Sequence, residues 1–277
     1  MTFRFLGTGT SVGVPQIGCG CPVCTSADPR DRRRRCGAYV RSGDVGILID
    51  TPPEMREACI EHKIDRVDAV VLTHAHMDHV AGFDDVRRFN TLNGTKVPCE
   101  PGDPLYRGLP YRIVGKPLVC YAMAETESQM HRIFPYIGLK PNAQGLFRPM
   151  ISFDNSDSFD IGPIHVERLV VEHGFPCCGY LLRDGGASLA YICDCHVLPD
   201  ETVRRIHGVD VLALNCLRER GHPTHLSLAE SMAYVERVSP GNAYLVHMCH
   251  DISHADLEEK LRGTCAKPAY DGLLISV

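Results

Sequence analysis

The chain has no apolar run near the roughly 18 residues needed to cross a bilayer, which leaves no membrane-spanning helix to expect. It also lacks a surplus of positive charge. With 29 Lys and Arg against 34 Asp and Glu, its formal net charge is −5, so the chain as a whole offers no electrostatic footprint for nonspecific nucleic-acid binding, and nucleic acid is not expected as a main partner. The Gly7, Gly9, Gly13 run lacks the Gly-Lys-Ser/Thr of a phosphate loop and the Gly-x-Gly-x-x-Gly spacing of a dinucleotide turn, and reads as a strand-to-loop turn. Low-complexity linkers are absent too. Met1-Thr2-Phe3-Arg4 enters a strand and not a signal peptide. The 14 cysteines therefore fit a reducing compartment, where metal binding and burial explain them better than disulfides, and a cytoplasmic location is expected.

What is present suits one α/β domain over residues 1–277, since 44% hydrophobic content over this length buries a large core. Apolar runs predict strands at Phe3–Leu6, Ile47–Ile49, Val67–Leu72, Leu118–Tyr121, His165–Val171, Tyr180–Leu182, Leu189–Cys193, Val209–Leu214 and Ala243–Val246. Helices are expected near Glu54–His62, Val80–Phe89, Glu125–Phe134, Glu201–Ile206, Leu228–Val238 and Ala255–Leu261. Pro98–Lys116, rich in proline and glycine, reads as an extended loop placed before the Leu118 strand.

The most informative run is His74-Ala75-His76-Met77-Asp78-His79, which follows the apolar Val67–Leu72 directly. A buried strand would deliver these side chains at its rigid C-terminal end. Imidazole suits zinc and similar ions, and the aspartate adds a hard, charged oxygen that holds a second cation close by, so the run points to a two-metal hydrolytic site. A single structural zinc would instead favour four closed ligands, usually with thiolates.

The run resembles the His-x-His-x-Asp-His signature of the metallo-β-lactamase superfamily, which implies a four-layer αββα sandwich with metals at one edge. The remaining pieces of that pattern occur in order. Asp50 closes Gly46-Ile47-Leu48-Ile49, where the family has an acidic residue that orients the metal loop; His173, Asp194 and His247 match its later ligands. By that resemblance one ion takes His74, His76 and His173, the other Asp78, His79 and His247, with Asp194 shared. Two divalent ions so placed activate a bridging water, and the expected nucleophile is metal-bound hydroxide. Zinc, manganese or iron would suit such a site. All these residues sit at or near the ends of apolar runs, as expected if a single sheet edge carries them.

A second constellation is Cys19, Cys21 and Cys24 in a Gly/Pro-rich stretch, with a spacing that makes a reasonable zinc hook. Three thiolates need a fourth, distant ligand, and His250, three residues after His247, is the leading candidate. The phosphodiesterases of the PhnP group share this Cys-x-Cys-x-x-Cys and a late His-x-x-His, and the resemblance implies one structural zinc here. Likeness to that group extends through Phe5–Ser11, Asp50-Thr51-Pro52-Pro53 and Tyr270–Leu273.

His225 precedes Ser227-Leu228-Ala229-Glu230, a capping box that opens an amphipathic helix and fixes the nearby backbone. Phosphodiesterase relatives have a histidine at the matching position that protonates the leaving oxygen, which implies that role for His225 alongside Asp78 as catalytic residues; imidazole suits it near neutral pH. His222 is the rival, and a plain surface histidine the bland reading.

The expected function is thus a metal-dependent phosphodiesterase acting on a small or cyclic ribose phosphate. A thioester hydrolase resembling glyoxalase II is the alternative, although no glutathione-binding region is identifiable, and a noncatalytic metal-binding protein is the third reading. Arg30, Arg32, Arg33, Arg34 and Arg35 would either reach an anionic substrate or partner or form a solvated loop, and Arg87 and Arg88 are further phosphate candidates. Cys195 and His196 carry no assigned role. Many relatives pair as homodimers, but no feature of the sequence specifies pairing.

Overall fold

The computed structural model describes residues 1–100, 102, 108, 110–138 and 148–277. Its strands are β1 (Thr2–Gly7), β2 (Gly37–Ser42), β3 (Val45–Ile49), β4 (Ala69–Val71), β5 (Thr95–Pro98), β6 (Tyr111–Val114), β7 (Leu118–Tyr121), β8 (Ile151–Asp154), β9 (Ser158–Ile161), β10 (Ile164–Val170), β11 (Cys178–Asp184), β12 (Ala187–Ile192), β13 (Val211–Asn215), β14 (Asn242–Val246), β15 (Ala266–Pro268) and β16 (Leu274–Ser276). The helices are α1 (Met55–Glu61), α2 (Met77–Val80), α3 (Arg87–Leu92), α4 (Ala124–Ile133), α5 (Asp200–Arg205), α6 (Leu228–Val238) and α7 (His254–Lys260). None is long and apolar enough to cross a membrane.

Two seven-stranded sheets carry the fold, one ordered β16-β1-β2-β3-β4-β7-β8 and the other β15-β14-β13-β12-β11-β10-β9. The period of two along each strand sorts side chains between layers. Ile47 and Ile49 of β3 and Leu189 and Tyr191 of β12 meet between the sheets, with Phe3, Phe5, Val166, Tyr180 and Val211. Their neighbours point the other way. Leu48 joins Met55, Phe83, Phe89 and Met130 under the helices of the first sheet, while Ala190, Ile192 and Leu212 pack with Val203, Val235 and Leu257 under α5, α6 and α7. Three buried clusters therefore separate four layers, and the αββα expectation holds.

Chain direction explains where a site can form. Strands β3, β4 and β7 run parallel, as do β12, β13 and β14, so their C-terminal ends emerge along common edges. Asp50, directly after β3, and His247, directly after β14, adopt left-handed backbone with φ of 60° and 61°. Non-glycine residues seldom do so, and here the conformation turns each side chain out of strand alternation.

Two expectations need correction. The Val80–Phe89 helix is broken: Gly82 packs so closely on the preceding loop that a Cβ there would lie 2.3 Å from Pro52 O, and a 3-10 turn (Phe83–Val86) leads instead into α3. The Pro98–Lys116 segment is not simply a loop, because Tyr111–Val114 pairs antiparallel with Thr95–Pro98; Pro101, residues 103–107 and Leu109 lie outside the described residues.

Candidate metal centre

Asp50 organises the loop that follows β4. Its carboxylate accepts hydrogen bonds from the Thr73 backbone N–H and hydroxyl, each at 2.8 Å, and its Oδ2 lies 2.8 Å from His79 Nδ1. The Thr73 hydroxyl, committed as donor to Asp50, is left to accept from His74 Nδ1–H at 3.0 Å. Both relays place a proton on Nδ1, so Nε2 of His74 and His79 is the nitrogen that a cation would take. His173 is fixed in the same way, donating Nδ1–H to Thr224 O at 3.0 Å.

The freed nitrogens converge. His74, His76, His173 and Asp194 form one set of donors and Asp78, His79, Asp194 and His247 a second, each with its donor atoms within 4.8 Å of one another. His74 Nε2 is 2.9 Å from His76 Nδ1 and 3.4 Å from Asp194 Oδ2. In the other set His79 Nε2 is 3.1 Å from Asp194 Oδ2 and 3.2 Å from Asp78 Oδ2, and His247 Nε2 is 2.9 Å from Asp194 Oδ1. Ligands about 2.0–2.2 Å from one ion stand about 3–3.6 Å apart, so these separations fit a shared cation. Apart from these contacts with one another, buried His79 Nε2, His247 Nε2 and Asp194 Oδ1 have no hydrogen-bond partner, as suits atoms that a cation would coordinate.

The electrostatics agree with that fit. Burial opposes charge on His79, but the carboxylates of Asp194 and Asp50 win and hold its imidazole well above the ordinary range. Burial likewise opposes charge on His247, where Asp194 and Asp78 raise it to about 9. Asp194 and Asp78 resist burial through His247 and His79 and stay well below ordinary carboxylates. His74 moves oppositely, pushed well down first by burial and then by His79. The protein without ions balances its carboxylates with protons on imidazoles, and cation binding would release those protons.

A cavity of about 350 Å³ opens over these groups, lined by Ser11, Phe175, Thr224 and His225 together with the donors His76, Asp78, His173, Asp194 and His247. His225 stacks on His247 with ring centroids 4.7 Å apart. Asn215 Oδ1 accepts from Leu226 N at 2.8 Å and its Nδ2 donates to Cys193 O at 2.8 Å, with the same nitrogen 3.4 Å from His225 Nδ1. His222 sits 5.1 Å from His225, ring to ring, and does not line the cavity.

The cysteine hook also closes. Sγ of Cys19, Cys21 and Cys24 lie 3.3, 3.4 and 3.4 Å from His250 Nδ1, close to the roughly 3.5 Å edge expected for sulfur and nitrogen around tetrahedral zinc. The Cys24 backbone N–H leads the effects that lower Cys21 to about 6, while burial lifts Cys24 to about 11.

Several sequence expectations land elsewhere. No arginine of the run lines the cavity: Arg30 pairs with Asp28 and Glu258, Arg32 is exposed, Arg34 pairs with Glu61, Arg35 pairs with Glu54 and donates Nε–H to Ser11 O at 2.9 Å, and Arg33 is buried against Asp31. Arg87 and Arg88 line a groove between α1 and α3. The glycine turn is explained by close backbone approach, since a Cβ on Gly9 would lie 2.6 Å from Arg33 O. Cys195 packs in the core beneath the helices. Sequence reasoning missed Thr73, Asn215 and Phe175; Thr73 and Asn215 stand at strand ends, the same signal that singled out Asp50.

A four-layer sandwich that gathers histidines and aspartates at one edge defines a metallo-β-lactamase-type protein. The chain belongs to the β-lactamase superfamily, whose superfamily-domain model matches residues 46–248. Over its whole length it is similar to a solved diphosphatase from the PhnP family, 32% identical, covering 100% of this chain and 97% of that one with a TM-score of 0.82. Zinc-bound PqqB from Methylobacterium extorquens shares the fold over 100% of both chains, with a TM-score of 0.75 at 18% identity. An octanoyltransferase of Porphyromonas gingivalis is 29% identical over 262 residues, which are 92% of this chain and 46% of that protein, so the chain spans less than half of that relative.

Proposed function

We propose that this chain is a dinuclear-metal phosphodiesterase acting on a small or cyclic ribose phosphate. The observation that carries the reading is the pair of donor sets joined by Asp194, with His225 stacked above them at the cavity. His74, His76, His173 and Asp194 would hold one divalent ion, and Asp78, His79, His247 and Asp194 the other. Such a pair, zinc or manganese, supplies a water made acidic enough to attack at neutral pH and positive charge to stabilise phosphoryl oxygens. Cys19, Cys21, Cys24 and His250 would hold a separate structural zinc.

The chain's own groups divide the remaining work. Burial, followed by the influence of His247, pushes His225 down to about 3, so its ring is neutral at pH 7. With Asn215 Nδ2 facing Nδ1, the neutral ring keeps its proton on Nε2 and can offer it as a hydrogen bond to the departing oxygen, whereas proton transfer would need the imidazolium, which negative charge building on that oxygen would favour. The Asp50 and Thr73 relays hold His79 and His74 with the correct nitrogen forward. Phe175 lies against His76, ring centroids 4.4 Å apart, and walls the cavity. Likeness to a PhnP-family diphosphatase supports chemistry at phosphorus.

The test is the initial rate of metal-loaded protein on a ribose cyclic phosphate, 2′,3′-cyclic nucleotides, a linear phosphodiester, a diphosphate diester and a glutathione thioester. Phosphodiester turnover that disappears in Asp78→Ala is the expected result. Thioester turnover alone would replace the phosphate reading with the acyl one.

A further inference from the structure

His247 and His250 belong to different donor clusters, yet they sit on one short segment, and the cation beneath that segment is Arg33. Its side chain is 0% exposed. One guanidinium nitrogen donates to Cys249 O at 2.5 Å; the other donates to Ile252 O at 2.9 Å and to Asp31 Oδ1 at 3.2 Å. Asp31 in turn accepts the His254 backbone N–H at 2.7 Å. The Arg33 backbone is itself locked to Val14 by two hydrogen bonds, of 2.8 and 2.9 Å. On the other side of the segment, Met248 N donates to Thr8 O at 3.0 Å and Thr10 N to Met248 O at 3.2 Å.

A fully buried guanidinium with a single carboxylate is a poor device for stability alone, because desolvation offsets most of the attraction. What it supplies is geometry. The planar fork serves two carbonyls that flank His250, at Cys249 and Ile252, from two nitrogens held in one fixed plane, a geometry that the single rotatable nitrogen of an ammonium does not impose. His247 stands two residues before the first of them, in left-handed backbone that needs support from its surroundings.

We propose that Arg33 is a positioning residue that locks the segment from His247 to Ile252, so that the Cys19, Cys21, Cys24, His250 cluster and the His247 donor set are mechanically coupled. The proposal builds on the two-ion reading above. It places the basic run's most buried member in the service of ion binding, far from any direct contact with substrate.

The experiment uses Arg33→Lys and Arg33→Met of the full chain, with circular dichroism to confirm folding. Hydrogen–deuterium exchange over residues 246–252 of the metal-free protein reads the lock directly. Cobalt(II) titration reads the ions, with the thiolate charge-transfer band reporting the cysteine cluster and the visible d–d bands the His/Asp sets. We expect faster exchange in that segment, with both the cysteine-band cobalt and the last cobalt equivalent bound about 10–100-fold more weakly, the range for lost outer partners of metal ligands. If Arg33→Met does not fold, Arg33→Lys, which keeps the charge and loses the fork, decides. Folded variants whose exchange and last-equivalent affinity match the wild type overturn the proposal. Should the wild type take up only one cobalt beyond the cysteine cluster, the two-ion reading falls, and the exchange measurement still judges the lock.

Discussion

His79 turns Nδ1 toward Asp50 at 2.8 Å, with both side chains fully buried, and its opposite nitrogen faces Asp194 and Asp78. The proton on Nδ1 is what keeps Nε2 free for a cation. Asp50→Asn reverses this, because an amide Nδ2 placed against Nδ1 donates and moves the imidazole proton to Nε2. We expect ion affinity to fall about 10–100-fold without loss of the fold, measured by equilibrium dialysis with elemental analysis. Unchanged affinity would show that the relay does not set the ligand atom.

His225→Ala separates proton donation from ion binding. Its imidazole is not in either donor set, so the ion content should stay at the wild-type value. Turnover should fall about 100–10,000-fold on alkyl diesters and much less on nitrophenyl esters, whose leaving oxygens need little protonation. A wild-type rate on an alkyl diester removes His225 as the acid.

Cys21→Ser addresses the other cluster. Replacing one of three thiolates around His250 should lower total zinc by about one ion per chain and lower the thermal midpoint, since a structural site contributes directly to folding. Zinc content equal to wild type would end the structural-zinc proposal.

Much of this architecture was legible because its chemistry is local. His74 to His79 occupy consecutive positions after one strand, and the capping box at Ser227 and Glu230 forms as its spacing implies. Strand β2 was not legible: Gly37-Ala38-Tyr39-Val40-Arg41-Ser42 follows an arginine run and shows little apolar excess, and its pairing with β1 and β3 decides the matter. Arg33 misled for a related reason. Charge predicts exposure, and only the long-range approach of Cys249 and Ile252 to its guanidinium reveals a buried structural role. Asn215 was hidden in the same way, because its partners Leu226 and Cys193 come from other elements.

The pH dependence of stability should carry the mark of Asp271. Its Oδ1 accepts from the Thr8 hydroxyl at 2.8 Å and its Oδ2 from Arg34 N at 2.6 Å, tying the chain's C-terminal segment to the glycine turn and the arginine run. Burial outweighs both donors and lifts the carboxyl to about 7, against about 3.9 in an unfolded chain. Between those values the folded state binds a proton that the unfolded state releases. Stability from this group is therefore complete below about pH 4 and is lost as pH rises through about 7. Asp271→Asn preserves both contacts, with the amide oxygen toward Arg34 N and the amide nitrogen toward the Thr8 oxygen, but cannot ionise. In metal-free protein the variant should gain on the wild type by on the order of 2–3 kcal/mol between pH 5 and pH 8, read from urea midpoints at each pH. A wild type and variant that keep a constant difference across that range would place the ionisation of Asp271 elsewhere.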